Sequence, residues 1–556
     1  MDYKERYELW KNDPFFDDAT RAELAALTDE KEIEERFYRD LEFGTGGLRG
    51  ILGAGSNRMN KYIIRRATMG FAQFLLEKFG DDARKRGIAV AYDCRNHSDE
   101  FAKETALTMC AMGIPAYLYV CLSATPLLSF TVRYLNCVGG VVVTASHNPK
   151  EYNGYKAYDE TGCQLGVEDA EAVIKKVNAL DIKEAKVMYE KEAQQRGLLT
   201  YIGTDVIDKF LDAVETQAHH VNVTARQDLK IVYTPLHGAG LVPVTAIFKR
   251  QGFTQVYKVE AQCVHDGNFP TVKSPNPEEH SALEMAIALA KEKDADIVIA
   301  TDPDSDRVGI AVKHDGDFQL LSGNQTGALL VDYVLLRREK TLNEKSTLIT
   351  TIVTSNFGAD IASGYGLRVE RVLTGFKFIG GVMNRLKKTG EGEFVIGYEE
   401  SYGYLVGDHA RDKDAVVASM LIAEMAAYYK ERGKDLVDVL NDLYADHSYY
   451  LDAVNSYVFK GKEGIEHMAA LMDQLRKTGK DLMPGIAEVK DYLPGIDGLP
   501  SSNVLKFFFE DGGWVAVRPS GTEPKIKVYY GIKGDDKAKA EELHKARKAV
   551  MDEVMK

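Results

Sequence analysis

Ile297-Val298-Ile299-Ala300-Thr301-Asp302-Pro303-Asp304-Ser305-Asp306-Arg307 decides how the chain is read. Its first four residues are apolar and mostly β-branched. A short continuous run of this kind predicts a strand buried on both faces, as in a helix-covered sheet. The strand ends in three aspartates at alternate positions, broken by a proline and a serine. Carboxylates spaced in this way can turn inward around one hard cation, and magnesium takes two or three of them together with a phosphate oxygen. An EF-hand also begins with alternating aspartates. It needs glycine at its sixth position and glutamate at its twelfth, and here Arg307 stands at the sixth and Lys313 at the twelfth. A solvated acidic turn is the plain alternative, and the buried strand just before it favours a site.

Two other strands end in the same way. Val141-Val142-Val143 runs into Thr144-Ala145-Ser146-His147-Asn148-Pro149, and Phe394-Val395-Ile396 runs into Gly397-Tyr398-Glu399-Glu400-Ser401. Ligands of open α/β sheets gather at the carboxyl ends of strands, so three such units can direct their loops at one shared place. Between them, apolar runs such as Ile88–Tyr92, Ile231–Tyr233 and Leu348–Val353 alternate with amphipathic helices, the mark of α/β units. The first forty residues read as helical, with Leu24, Leu27, Ile33 and Phe37 at helix spacing. From about Asp446 the texture changes. Val504–Phe509, Trp514–Val517 and Ile526–Tyr530 alternate apolar with polar residues, which predicts a half-exposed antiparallel sheet, and a charged helix closes the chain over Asp535–Lys556. The predicted architecture is three consecutive α/β domains, 1–204, 205–324 and 325–445, followed by a smaller α+β domain, 446–556.

That organisation suits 556 residues at roughly 100–200 per domain. The net charge of −14 excludes non-specific nucleic-acid binding as a main role. It also means that an anionic substrate needs locally concentrated cations. The six cysteines form no CxxC pair and read as reduced thiols of a cytoplasmic protein. Thr105–Val132 is the longest uncharged stretch, but Gly113, Pro115 and Pro126 break it into buried helix and strand, so no membrane span is expected.

The loops supply a consistent chemistry. Ser146 lies in a compact polar turn without a Gly-x-Ser-x-Gly elbow, so a hydrolase triad is not supported. A serine needs help from a base or a metal, and His147 and Lys156 are close in sequence. Beside a metal loop, a phosphorylated Ser146 is chemically reasonable, because the cation would polarise the ester. Arg518-Pro519-Ser520-Gly521-Thr522 offers an arginine, two hydroxyls and an approachable backbone, the parts of a phosphate cradle. Gly44-Thr45-Gly46-Gly47-Leu48-Arg49 is a glycine loop without the Walker lysine; Arg49 reads as a phosphate contact or as part of a connector. Glu399, Glu400 and Ser401 suit sugar hydroxyls. Lys377, between Phe376 and Phe378, can hold phosphate or move a proton, and His237 reads as structural.

Taken in order, TASHNP, DPDSDR, GYEES and RPSGTEPK resemble the phosphoserine, metal, sugar-recognition and phosphate-binding loops of the α-D-phosphohexomutase superfamily, in particular its phosphoglucomutase/phosphopentomutase-like branch. The resemblance spans residues 43–530. It implies a four-domain enzyme with its active site in a central cleft. Ser146 would carry the phosphoryl group. Asp302, Asp304 and Asp306 would hold one Mg²⁺ with the serine phosphate. Arg307 and Arg49 would contact the phosphoryl group in transit, and His147, Lys156 and Lys377 would move protons or orient the substrate. Glu399 and Ser401 would bind sugar hydroxyls, and Arg518, Ser520, Gly521 and Thr522 the phosphate that does not react. A sugar 1,6-bisphosphate would serve as intermediate and activator. A cytoplasmic monomer or weak dimer is implied, with no nucleic-acid or membrane partner.

Pro303 and Ser305 stand where many members have glycines, and GTGGLRG replaces a form with serine. Both variants look like the branch that includes phosphopentomutases, while the Glu-Glu-Ser set leans toward glucose. Glucose 1-phosphate is therefore the first expectation, with pentose and mannose phosphates as alternatives. A metal-dependent phosphatase, a sugar-bisphosphate synthase and a catalytically silent sugar-phosphate sensor are the competing readings.

Overall fold

A computed structural model describes the chain apart from residues 45, 460 and 520–524, with the side chains of 461–463 and 465 also left aside. Four sheets follow one another. The first contains β1 (Gly47–Ile51), β2 (Ile88–Tyr92), β3 (Ala116–Tyr119), β4 (Gly139–Val143), β5 (Tyr152–Asp159) and β6 (Leu199–Ile202), in the order β1-β5-β4-β2-β3-β6. The second contains β7 (Lys230–Thr234), β8 (Gln255–Lys258), β9 (Ile297–Thr301), β10 (Val308–His314) and β11 (Asp317–Leu321), ordered β11-β10-β9-β7-β8. The third is β12 (Ser346–Thr351), β13 (Arg368–Val372), β14 (Glu393–Glu399) and β15 (Gly403–Val406), ordered β13-β12-β14-β15. The fourth, β16 (Tyr449–Val458), β17 (Ile486–Asp491), β18 (Leu505–Phe509), β19 (Trp514–Pro519) and β20 (Lys525–Gly534), is antiparallel throughout.

The first three sheets are mixed, and each switches from parallel to antiparallel at the same kind of place. β4 pairs parallel with β2 and antiparallel with β5. β9 pairs parallel with β7 and antiparallel with β10. β14 pairs parallel with β12 and antiparallel with β15. Each of the three polar loops is therefore the turn between a buried parallel strand and its returning antiparallel partner. The strand anchors the loop and the return strand fixes its exit, so every loop is held at both ends.

One apolar core runs through the first three domains, taking in Leu128, Phe210, Tyr233, Leu330 and Tyr404. The helix Ala415–Lys430 is buried on all sides over most of its length. A helix that is apolar all round requires such an interior place, and this one packs against Leu241–Arg250 of the second domain. The N-terminal segment folds as three helices, Tyr3–Asn12, Asp18–Ala25 and Glu30–Phe37; each has an aspartate accepting a backbone N–H at its start, and Leu24, Ile33 and Phe37 are buried. Among the described residues no helix is long and apolar enough to cross a membrane.

Two expectations change. The strands β18, β19 and β20 of the C-terminal sheet are not half-exposed, although β16 and β17 keep exposed positions. Val517, Ile526 and Val528 face the domain's own helices, whereas Trp514, Ala516 and Tyr529 pack against Ile352, Val353 and Leu373 of the third domain. The face that the alternation assigned to solvent is thus an interdomain contact. The glycine segment before Arg49 is a strand from Gly47 onward, paired antiparallel with β5. Gly47 has φ +127°, and a Cβ there would lie 1.8 Å from the Tyr155 carbonyl oxygen, so the close pairing with β5 demands glycine.

Candidate active site

The three hairpin loops meet. Ser146 Oγ donates to Asp302 Oδ2 at 3.0 Å and lies 3.1 Å from His147 Nδ1. Ser146 adopts a left-handed backbone, φ +53°, unusual for a residue with a Cβ. On the metal loop, Asp302 Oδ1 accepts the backbone N–H groups of Asp306 and Arg307 at 3.1 and 3.0 Å. These bonds curl the loop so that Asp302, Asp304 and Asp306 each present an oxygen within 4.8 Å of the others, all buried. The third domain closes on the same loop. Arg307 bridges to Gly403, Val308 N donates to Tyr402 O at 3.1 Å, and Ala415 N donates to Ser305 O at 3.2 Å.

The donor set fits a divalent cation. Oδ1 of Asp304 and Oδ1 of Asp306 are buried and make no hydrogen bond. Leaving such oxygens unsatisfied in a closed interior is costly unless a cation is there to use them. Burial, reinforced by Asp304 and Asp306, pushes the Asp302 carboxyl well above the usual carboxylate range. Despite burial, Lys413, Lys156 and Arg307 hold Asp306 below that range. Lys156 Nζ is 2.7 Å from Asp304 Oδ2 and 3.3 Å from Asp306 Oδ2. Arg307 pairs with Glu278, and its Nε lies 3.8 Å from Asp306 Oδ1. Burial, together with the charges of Arg307 and Arg49, drives the His147 imidazole well below its ordinary value, which favours the neutral ring and makes it a weaker base than a free imidazole.

Arg49 comes to the rim on β1 and donates to Asn148 Oδ1, on the Ser146 loop, at 3.1 Å. Glu399, at the end of β14, is almost fully buried, and its Oε1 accepts the Gly375 N–H at 2.8 Å. Burial pushes its carboxyl up to about 7, with Lys413 opposing the shift and Glu400 adding to it. Lys377 lies two residues past Gly375, in the first turn of the helix Phe376–Thr389, and burial lowers its ammonium. Ser401 and Glu400 line a cavity of about 230 Å³ with Glu278, Asp452, Lys527 and Tyr529, the last three from β16 and β20 of the fourth sheet. Glu278 is the exception in that group, since it belongs to the second domain and reaches the cavity beside Arg307. Arg518 on β19 pairs in register with Lys527 on β20, and its charge acts on Glu400. Ser520, Gly521 and Thr522 lie outside the described residues.

Four residues that sequence reasoning passed over belong to this site. Lys413 is mostly covered, its side chain 13% exposed, and lies 3.1 Å from both Asp306 Oδ2 and Asp412 Oδ1. Thr125 holds Asp304 twice, by Oγ1 to Oδ2 at 2.7 Å and by its N–H to the backbone oxygen at 2.8 Å. Asp93 and Arg95 stand behind the serine loop in a fully buried ion pair. Arg95 was within reach of the strand-end rule, because Ile88–Tyr92 runs straight into Asp93-Cys94-Arg95. Lys413 also had a signal, the charged run Arg411-Asp412-Lys413-Asp414 before a long apolar helix; Thr125 had none. His237 is structural, with its two ring nitrogens on Val264 O and Thr271 Oγ1 at 2.7 and 2.9 Å.

Comparison with known proteins covers the whole architecture. Residues 40–184, 208–316 and 322–447 match the profiles of phosphoglucomutase/phosphomannomutase alpha/beta/alpha domains I, II and III, and residues 462–549 match the C-terminal domain. The phosphoglucomutase of Staphylococcus haemolyticus is 36% identical over 518 residues, covering 90% of this chain and 92% of that protein. The phosphoglucomutase of Staphylococcus epidermidis is 35% identical, covering 91% and 93%. Among solved structures, a Paramecium phosphoglucomutase, parafusin, superposes with a TM-score of 0.70 at 18% identity over 93% of this chain and 95% of that one. A Burkholderia thailandensis phosphoglucomutase/phosphomannomutase family protein gives 0.68 at 21% identity, over 92% and 97%. At those identities the two structures speak for the fold.

Proposed function

The chain belongs to the phosphoglucomutase/phosphomannomutase family, and from that premise we propose that it interconverts glucose 1-phosphate and glucose 6-phosphate by lending and recovering a phosphoryl group on Ser146. The observation that carries the proposal is the contact between Ser146 Oγ and Asp302 Oδ2 at 3.0 Å, inside a buried group of three aspartates. The relatives named phosphoglucomutase and the Glu399-Glu400-Ser401 set support glucose as the sugar.

Phosphoryl transfer is mostly positioning and charge stabilisation. One Mg²⁺ held by Asp302, Asp304, Asp306 and a serine phosphate oxygen would neutralise the phosphate and polarise its ester. Arg518, with Ser520, Gly521 and Thr522, holds the sugar's own phosphate. Glu399 and Ser401 take its hydroxyls, which aims the free hydroxyl at phosphoSer146. A bond forms from that oxygen to phosphorus as the hydroxyl gives up its proton, the bond from phosphorus to Ser146 Oγ breaks, and Oγ takes up a proton. His147, beside Oγ, and Lys156, beside Asp304, are placed to move protons there, and Lys377 orients the sugar from the Glu399 side. Arg307 and Arg49 balance the charge of the phosphoryl group in transit. The bisphosphorylated sugar turns end for end and returns its other phosphate to Ser146. Free glucose 1,6-bisphosphate would load an unphosphorylated enzyme, which makes it an activator. The six cysteines are unpaired, as suits a reducing compartment, and the proposal places the protein in the cytoplasm as a monomer or weak dimer.

Comparing kcat/KM for glucose, mannose and ribose 1-phosphates tests the substrate. Glucose should lead by about tenfold or more, the scale of a few lost hydroxyl contacts. A lead for ribose 1-phosphate would replace the sugar but keep the reaction. Release of phosphate without isomerisation would replace the reaction.

A further inference from the structure

Behind the serine loop lies a buried guanidinium that touches neither the aspartates nor the place where a sugar would sit. Arg95 Nη1 donates to Pro149 O at 2.9 Å and to Tyr152 O at 3.0 Å, and Nη2 donates to Ser146 O and Asn148 O. All four acceptors are main-chain carbonyls, three in the turn between β4 and β5 and the fourth, Tyr152 O, at the start of β5. Asp93 Oδ2 lies 3.3 Å from Arg95 Nε, and both side chains are fully buried. The same Asp93 Oδ2 accepts from Thr144 Oγ1 at 2.6 Å, and Thr144 Oγ1 in turn accepts the Ser146 N–H at 2.8 Å.

Ser146 is therefore gripped on both sides of its Cα. Its carbonyl is taken by Arg95, and its N–H is held through Thr144 by Asp93. This matters because Ser146 has φ +53°, a conformation that a Cβ disfavours and that persists only where the surroundings impose it. Relaxation to ordinary backbone would turn Oγ away from Asp302. The brace also ties the loop to the domain that carries the aspartates. The Arg95 guanidinium stacks over Phe269 at 5.1 Å, Asn96 donates to Asn268 Oδ1 at 3.1 Å, and Ser274 Oγ donates to His147 O at 3.1 Å.

We infer that Arg95, together with Asp93 and Thr144, forms a positioning element for phosphoryl transfer that holds the Ser146 backbone in its left-handed form and so keeps Oγ on the aspartates. The inference rests on the reading of Ser146 as the phosphoryl carrier. It also predicts that charge alone cannot replace Arg95. A planar fork can serve four carbonyls and a carboxylate at once, whereas an ammonium offers three donors from a single point.

The test uses Arg95→Lys and Thr144→Val in the full chain, with folding checked by circular dichroism and by melting temperature. Turnover, KM for glucose 1-phosphate and the phosphate released to water per isomerisation are measured for each. Arg95→Lys should lower kcat roughly 100-fold and Thr144→Val roughly tenfold, the scale of a misplacement of about an ångström. KM should stay within about twofold, because no sugar contact is lost, and the share of phosphate passed to water should rise in both. A merely structural role would lower isomerisation and hydrolysis together. If Arg95→Lys does not fold, Thr144→Val decides alone. A Thr144→Val enzyme with wild-type kcat and wild-type partition overturns the inference. If wild-type protein carries no phosphate on Ser146, it is the reading of the site that fails, and the inference falls with it.

Discussion

Ser146 Oγ lies 3.0 Å from Asp302 Oδ2, although 156 residues separate the two in the chain. Two separate sheets must each end at the same point for this contact to form. The same point receives Lys156 from β5 and Lys413 from the third domain, both on Asp306 Oδ2, at 3.3 and 3.1 Å. A hydroxyl, three carboxylates and two ammonium groups so arranged, with Arg307 alongside, can hold a phosphate and a cation together, and that arrangement is what the proposed transfer needs.

Asp304→Asn should raise the magnesium concentration needed for half-maximal rate by about tenfold or more, on the scale that disturbance of a metal site produces, and should lower kcat. Asp304 Oδ1 is buried without a hydrogen bond, so an amide there gives a cation a poorer ligand. Titrating activity with Mg²⁺ after chelation checks this. An unchanged magnesium curve would remove Asp304 from the metal site.

Lys413→Met should destabilise the protein by about 1.5–3 kcal/mol, the scale of a lost hydrogen bond to a charged group, because Asp306 and Asp412 each lose one partner, while Asp306 keeps Lys156 and Asp412 keeps the Tyr158 hydroxyl. Denaturant unfolding measures the effect. Added Mg²⁺ should return part of the loss by compensating Asp306 in the folded state only. Equal stability with and without the substitution would mean that the pairing contributes nothing.

How much of this was legible in the sequence follows from how each signal is encoded. The runs ahead of Ser146, Asp302 and Glu399 could be read because a strand buried on both faces has to be a continuous apolar run, and a polar loop after it is conspicuous. Their convergence could be expected only from the rule about strand ends and from the family resemblance. Thr125 escaped because its two bonds to Asp304 cross 179 residues, and nothing in Ala124-Thr125-Pro126 marks it except an ordinary helix start. The outer face of the last sheet was misjudged because alternation shows that two faces differ, not what covers the second one. Here Trp514 and Tyr529 meet Ile352 and Val353 of another domain.

Arg518→Ala should raise KM for glucose 1-phosphate roughly tenfold to 100-fold with a smaller effect on kcat, in line with about 1.5–3 kcal/mol for a charged hydrogen bond. Steady-state kinetics in both directions is the check. A normal KM would mean that the phosphate which does not react is held elsewhere.

Glu399→Gln should change the pH dependence of stability. Burial pushes the Glu399 carboxyl up to about 7, so folding favours its protonated form. The wild-type protein keeps that preference below the ordinary carboxylate range and loses it as pH rises through about 7. The amide does not titrate and can still accept the Gly375 N–H. Relative to wild type, Glu399→Gln should therefore gain about 1–3 kcal/mol between about pH 4 and pH 8, while its KM for the sugar rises. Parallel pH–stability curves for the two proteins would contradict the assignment.

The most direct test of the central claim is the intact mass of the protein after incubation with glucose 1,6-bisphosphate and Mg²⁺, followed by peptide mapping. A fraction should be heavier by about 80 Da, one phosphoryl group, with the label on Ser146 and transferable to added glucose 1-phosphate. Ser146→Ala should acquire none and should not turn over, yet still bind glucose 1-phosphate. A wild-type mass that never changes, or a label carried by another residue while isomerisation proceeds, would contradict the account.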